Sequence, residues 1–184
     1  MKSSLKNMIM VLSIITVVAA VSVGGIYIAT KDAIADSKNN KVALAIKQVL
    51  PEFDKQTKQT VNVDEIPVNI YTATKGSEVV GYAVEAFDKN GFSGMVKIMV
   101  GLLPDGSISK ISVVEHKETP GLGDKIEPTK SDFSKQFEGK SDKNTNMSVK
   151  KDGGDVDAIT ASTITSRAYC RAVKQAFETL QKVK

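Results

Sequence analysis

A chain of 184 residues has room for one domain and a short appendage. With 41% apolar and 25% charged residues and a net charge of +4, it has a globular balance; it shows no arginine cluster and no basic stripe interleaved with aromatics, which argues against nucleic-acid binding. Cys170 is the only cysteine and His116 the only histidine, which excludes an internal disulfide, a cysteine-based zinc site, a multi-histidine metal site and an iron–sulfur cluster held by this chain alone.

The run Met8–Ala29 carries no charge. At about 1.5 Å per residue it spans a hydrocarbon core of roughly 30 Å. Its polar groups Ser13, Thr16 and Ser22 can bond back to their own helix. Lys2 and Lys6 precede it, while Lys31, Asp32, Asp36 and Lys38 follow in mixed balance, so the positive-inside rule puts the N-terminus in the cytoplasm and the remainder outside. A cleaved signal peptide ending near Ala33-Ile34-Ala35 is the other reading, but the apolar run exceeds the usual signal length. Both readings export the rest of the chain.

Residues 31–66 follow as tether and amphipathic helix. Lys31–Asn40 is polar and short, a tether or the helix's first exposed turns; Val42, Ala45, Ile46, Val49 and Leu50 fall at helical spacing, and Pro51 ends the pattern. Residues 67–184 form the expected domain. Strands are predicted at Val68–Thr74, Glu78–Asp88, Ser93–Leu103 and Ser107–Glu115. The turns Lys75-Gly76-Ser77, Lys89-Asn90-Gly91 and Pro104-Asp105-Gly106 imply an antiparallel meander. Glu115–Lys125 is a loop, Ser131–Phe137 a helical turn or two, and Gly139–Gly154 a polar surface excursion. Ile164, Ala168, Ala172, Val173, Ala176, Phe177 and Leu180 then mark a C-terminal amphipathic helix packed on the sheet, with Cys170 as a small packing residue. The expected class is α+β, an antiparallel sheet packed with helices and preceded by one N-terminal transmembrane helix.

Two segments exceed packing logic. Thr160, Ser162, Thr163, Thr165 and Ser166 put five hydroxyls in seven positions where the last helix begins. Helix capping needs one such residue or two; a phosphate site at a positive helix end would use more. The segment Glu115-His116-Lys117-Glu118-Thr119-Pro120-Gly121-Leu122-Gly123-Asp124 is either a turn-rich connection or a rigid loop that presses its backbone on a flat ligand. Periodicity leaves both alternatives open. No GxGxxG follows a strand, so no dinucleotide site is read, and no nucleophile elbow occurs.

Together these residues resemble the FMN-binding domain family, and within it the G subunits of Rnf-type ion-translocating electron-transport complexes. The resemblance covers roughly Tyr71 to Ala176. Gly91-Phe92-Ser93-Gly94 with Val96–Gly101 resembles the family's central hairpin, and His116–Gly123 its most recognisable loop. Asp157 to Thr165 resembles the flavinylation signal Asp-x-x-Ser/Thr-Gly-Ala-Thr-x-Thr/Ser, with Ala161 in place of Gly and Ser162 in place of Ala. The resemblance implies one FMN joined through a phosphoester to Thr165, installed from FAD by a separate flavin transferase. Asp157 matches the acidic position, Thr160 the first hydroxyl and Thr163 the inner threonine, with Ser162 beside them. Glu118, Thr119, Gly121, Leu122 and Gly123 would lie against the flavin, Thr119 as a polar contact.

It further implies an electron-relaying subunit of an ion-translocating oxidoreductase without independent catalytic activity. Electrons would pass between ferredoxin and NAD, coupled to sodium or proton movement. The expected partners are other membrane and iron–sulfur subunits and the lipid bilayer of the cytoplasmic membrane, with the flavin domain on the outer face. The equivalent subunit of the sodium-translocating NADH:quinone oxidoreductase is generally longer and is the nearest alternative; a flavin-free membrane-tethered scaffold is another.

Overall fold

The computed structural model describes residues 5–63 and 65–183; Lys2, one of the charges that set the expected orientation, lies outside them. The chain divides into two compact units between Lys41 and Val42.

Helix α1 runs from Leu5 to Val49; as far as Lys41 it makes the first unit, and its last turns, from Val42 on, belong to the second. Its apolar side chains from Met8 to Ile28 are exposed, and it is long and apolar enough to cross a membrane. Thr16 and Ser22 donate their hydroxyls to the carbonyls of Leu12 and Val18 at 2.9 and 2.8 Å, so polar side chains on an apolar helix are satisfied within it. Lys31–Asn40, read as a tether or as exposed helical turns, is helical, as is the segment after it. Nothing in 31–49 breaks a helix once one has started, and Pro51 supplies the stop.

In the second unit five antiparallel strands follow in meander order: β1 Lys55–Val63, β2 Ile66–Lys75, β3 Glu78–Gly91, β4 Gly94–Leu102 and β5 Ile108–Glu115. Four of them were predicted. β1 was not; its outer residues are exposed on both faces, and it is held by full-length pairing with β2, from Lys55 opposite Thr74 to Val63 opposite Ile66.

Strand alternation assigns the two faces. Val68, Ile70, Val84, Ala86, Val96, Ile98, Val100 and Leu102 face the larger core. Helix α2, Thr163–Gln181, packs there through Ala168, Tyr169, Ala172, Val173, Ala176, Phe177 and Leu180, one stripe at helical spacing. Tyr169, Phe133 and Phe137 meet with ring centroids 5.2 to 5.8 Å apart and join a 3-10 turn at Phe133–Phe137 to α2. Tyr71, Ala73, Ala83 and Met99 face the other way and are covered by Ala45, Ile46, Val49 and Leu50 from the last turns of α1. Beyond that cover, buried Glu85 is satisfied by Lys97 at 2.8 Å and by the amide of Asn69. Cys170 is buried as expected, and burial pushes its thiol up to about 12, which keeps it protonated.

The excursion Gly139–Gly154 is less superficial than its polarity suggests. Met147 and Val149 are buried in the larger core. A bidentate pair from Arg167 to Asp152, with both distances 2.7 Å, ties its end to α2. A second pair, from Arg171 to Asp88, fixes α2 to the end of β3.

The closest approach in the smaller core is at Gly101, where a Cβ would strike the carbonyl and side chain of Val49. Gly101→Ala should therefore destabilise the domain by about 2 kcal/mol, lowering Tm by roughly 5 °C. A thermal melt followed by circular dichroism checks this.

Candidate functional site

Three segments converge at one end of the sheet. The first is the β3–β4 turn Gly91-Phe92-Ser93-Gly94, closed by the Gly91–Gly94 pair. The second is the connection after β5. Here Leu122 N–H and Asp124 N–H both return to the carbonyl of Thr119, at 3.2 and 3.3 Å, and Gly121 takes φ +77, which glycine adopts without a side-chain clash. The third is the start of α2.

A charged cluster braces the second segment from outside. The backbone N–H of Glu118 donates to Nδ1 of His116 at 3.0 Å, so Nε2 carries the ring hydrogen and donates to Glu127 at 2.7 Å. Lys130 bridges Asp124 and Glu127, each at 3.0 Å. Burial raises the Glu127 carboxyl, but hydrogen bonds from His116 and Lys130 outweigh it and leave it below its ordinary range. The hydrogen bond from Lys130 likewise lowers Asp124.

Glu118 is the centre of the site. Its carboxylate is 5% exposed. Oε1 accepts the backbone N–H of Ser93 at 3.1 Å, and Oε2 accepts the hydroxyl of Thr165 at 2.6 Å. The short second distance is that of a charge-assisted hydrogen bond. Glycines make the room: a Cβ at Gly91 would lie 2.6 Å from Oε1, and one at Gly123 would lie 2.7 Å from Oε2 and 3.0 Å from Oγ1 of Thr165. One carboxylate thus links all three segments.

The hydroxyl cluster divides into separate tasks. Ser166 braces the approach to α2, accepting from the N–H of Ile159 and donating to the carbonyl of Ser162, both at 3.0 Å. Ser162 stands at the N-cap position, is buried, and makes no side-chain capping bond. Simple capping therefore does not account for it, and the first-turn amides receive no acceptor from it. Thr165 is 1% exposed and Thr163 half-buried. Ala161, at the motif's usual glycine position, has φ +61. That left-handed conformation explains why glycine suits the position.

Together the segments enclose a cleft of about 300 Å³, lined by Glu118, Thr119, Leu122, Gly123, Ser162, Thr163 and Thr165 among the expected site residues. Gly121 stands behind the lining as a turn residue, and Thr160 is exposed outside it. Asp157 also lies outside, paired with Lys150 at 2.8 Å. Phe92, Ala161 and Ile164 complete the lining and were not read as site residues from the sequence. Ile164 was expected in the core stripe of α2. It is 48% exposed and lines the cleft instead of joining the core. With Phe92 at 67% and Leu122 at 43%, it gives the cleft an exposed apolar rim. Helical periodicity could not separate a rim residue from a core residue; an aromatic in a tight turn was the available signal for Phe92.

Relief of the left-handed alanine should stabilise the fold. Ala161→Gly is expected to add about 1 kcal/mol, read as a higher denaturant midpoint at unchanged slope. Asp124 and Glu127 bind protons less readily folded than unfolded. The stability they confer is full above the ordinary carboxylate range and fades as pH falls through their lower folded values. Lys130→Met should therefore shrink the loss of denaturant midpoint between about pH 6 and about pH 3.

The cleft lies within a segment that matches a known family model, the FMN-binding domain, over residues 91–178. The chain is 35% identical to the G subunit of the ion-translocating oxidoreductase complex of Pasteurella multocida over 176 residues, which is 89% of this chain and 87% of that one. It is 35% identical to the corresponding G subunit of Aliivibrio fischeri over 189 residues, 96% and 90% of the two chains. Identity rises to 46% with the one from Pseudoalteromonas atlantica, over 59% of this chain and 52% of that one. Similarity of this extent, carried by a sheet, loop and helix start that build a single cleft, makes the chain a member of the family of ion-translocating oxidoreductase complex G subunits with an FMN-binding domain.

Proposed function

We propose that the chain is the membrane-anchored electron-transfer subunit of an Rnf-type ion-translocating oxidoreductase, carrying one FMN as a phosphoester on Thr165. The observation that carries this reading is the position of Thr165: the residue at the motif's acceptor place lines a cleft with an apolar rim, and its hydroxyl is held by Glu118 of the same lining. A purely structural threonine would need neither the cleft nor the rim.

The residues present fit the group. A phosphoester needs a hydroxyl, and Thr165 supplies it. Its remaining charge suits the first turn of α2, where Ser162 provides no competing cap. A flat, largely apolar ring suits Phe92, Leu122 and Ile164, which would keep water from it. Thr119 offers a polar contact at the edge, and Gly123 permits close approach. The attached flavin supplies the electron transfer, while the protein binds, orients and shields it. Asp157 and Thr160, outside the lining, would serve recognition by the flavin transferase that installs the group from FAD.

The anchor follows from α1, with the N-terminus in the cytoplasm and the flavin domain on the outer face. Covalent attachment suits that location, because a cofactor lost outside the membrane is not readily replaced. Electrons would move between membrane and iron–sulfur partner subunits in a complex that links ferredoxin and NAD to sodium or proton movement. The chain has no activity of its own in this scheme.

Full-length protein made alongside a flavin transferase should gain the mass of one FMN less water and give a fluorescent band in a denaturing gel. Thr165→Ala should abolish both while leaving the circular dichroism spectrum unchanged. A wild-type mass without the increment would contradict the assignment.

A further inference from the structure

Resting on that reading, we propose that Glu118 is the catalytic proton acceptor for phosphoester formation on Thr165, and that it then keeps the proton and donates it as a hydrogen bond to the attached phosphate.

Three observations point there. The carboxylate is already on the reacting atom, since Oγ1 of Thr165 donates to Oε2 at 2.6 Å. It is held in that place by Ser93 N–H, in a space that Gly91 and Gly123 leave open, since a Cβ at either would strike its oxygens. It is also buried and, among the described residues, forms no ion pair. Two hydrogen bonds offset only part of the cost of burying a carboxylate without a cation, an arrangement that clusters at functional sites. Glu85, the other buried glutamate, shows the structural solution to the same problem: it is paired with Lys97. Glu118 lacks such a partner and faces a hydroxyl instead.

The reaction balances on these atoms. The Oγ1–H bond of Thr165 breaks, and an Oγ1–P bond forms to the flavin-side phosphorus of a flavin dinucleotide. The pyrophosphate P–O bond breaks, and adenosine monophosphate leaves with its electron pair. The threonine proton passes to Oε2 of Glu118. Three negative charges stand on the reacting groups before the step and three after it, with Glu118 now neutral. A phosphodiester at Oγ1 would sit against an ionised, buried Glu118 as a like charge, which favours the protonated carboxyl. The same geometry that accepts the proton therefore retains it.

The test is a time course of flavin incorporation into full-length wild type, Glu118→Gln and Glu118→Asp, with a flavin transferase and saturating FAD, followed by intact mass. Glutamine keeps an acceptor oxygen for Thr165 and cannot take its proton. The expected result is a loss of about 100-fold or more in rate at saturating FAD for Glu118→Gln, with partial recovery in Glu118→Asp. An independent reading needs no Glu118 variant. Infrared difference spectra at neutral pH should show the C=O stretch of a protonated carboxyl in the flavinylated protein, and not in Thr165→Ala. Glu118→Gln incorporating flavin at the wild-type rate overturns the proton-acceptor role. Absence of the carboxyl band overturns the retained proton. Wild type that takes no flavin at Thr165 overturns the proposed function together with this inference.

Discussion

The hydrogen bond from Thr165 to Glu118 joins parts of the chain 47 positions apart and sets how the rest of the site is built. For it to form, the connection after β5 must lie directly against the first turn of α2. That requires a residue without a side chain at 123 and another at 91, where the β3–β4 turn meets the same carboxylate. The turn geometry around Gly121, the ring orientation of His116 and the Asp124–Lys130–Glu127 cluster all hold that connection in place. The sheet and helix supply a rigid frame, and the loops make one carboxylate–hydroxyl contact on it.

This arrangement changes the meaning of the hydroxyl cluster. Five hydroxyls within seven positions suggest a diffuse anion cradle, yet they stand in different environments. Ser166 is a backbone brace, Ser162 is a buried non-capping residue, Thr160 is at the surface, and only Thr165 is directed onto a carboxylate. The cleft's apolar rim comes from Phe92, Leu122 and Ile164 on three separate segments.

Much of this was legible in the sequence where turn chemistry and periodicity agreed. Asn90-Gly91 and Asp105-Gly106 marked the meander, and the stripe from Ala168 to Leu180 marked α2. What was missed has physical causes. Lys55-Gln56-Thr57-Lys58-Gln59-Thr60 has no apolar alternation because β1 buries almost nothing and is held by its pairing with β2. Gly139–Gly154 reads as a polar, lysine-rich surface excursion, although Met147 and Val149 are enough to pin it to the core. The change of polarity left Lys31–Asn40 open between tether and helix, while backbone continuity depends on propensity and not on polarity. The motif located Thr165, but no spacing rule could reveal that its hydroxyl is bonded to Glu118 or that Ala161 holds a glycine's conformation.

The central claim is that one hydroxyl among five accepts the flavin. Trypsin cleavage after Lys151 and Arg167 releases a peptide that contains Thr160, Ser162, Thr163, Thr165 and Ser166 together. Fragmentation mass spectrometry of that peptide, from full-length protein matured with its flavin transferase, should place the whole FMN increment on Thr165. An increment on Thr163 or any other hydroxyl of the peptide, or an unmodified peptide, would contradict the account.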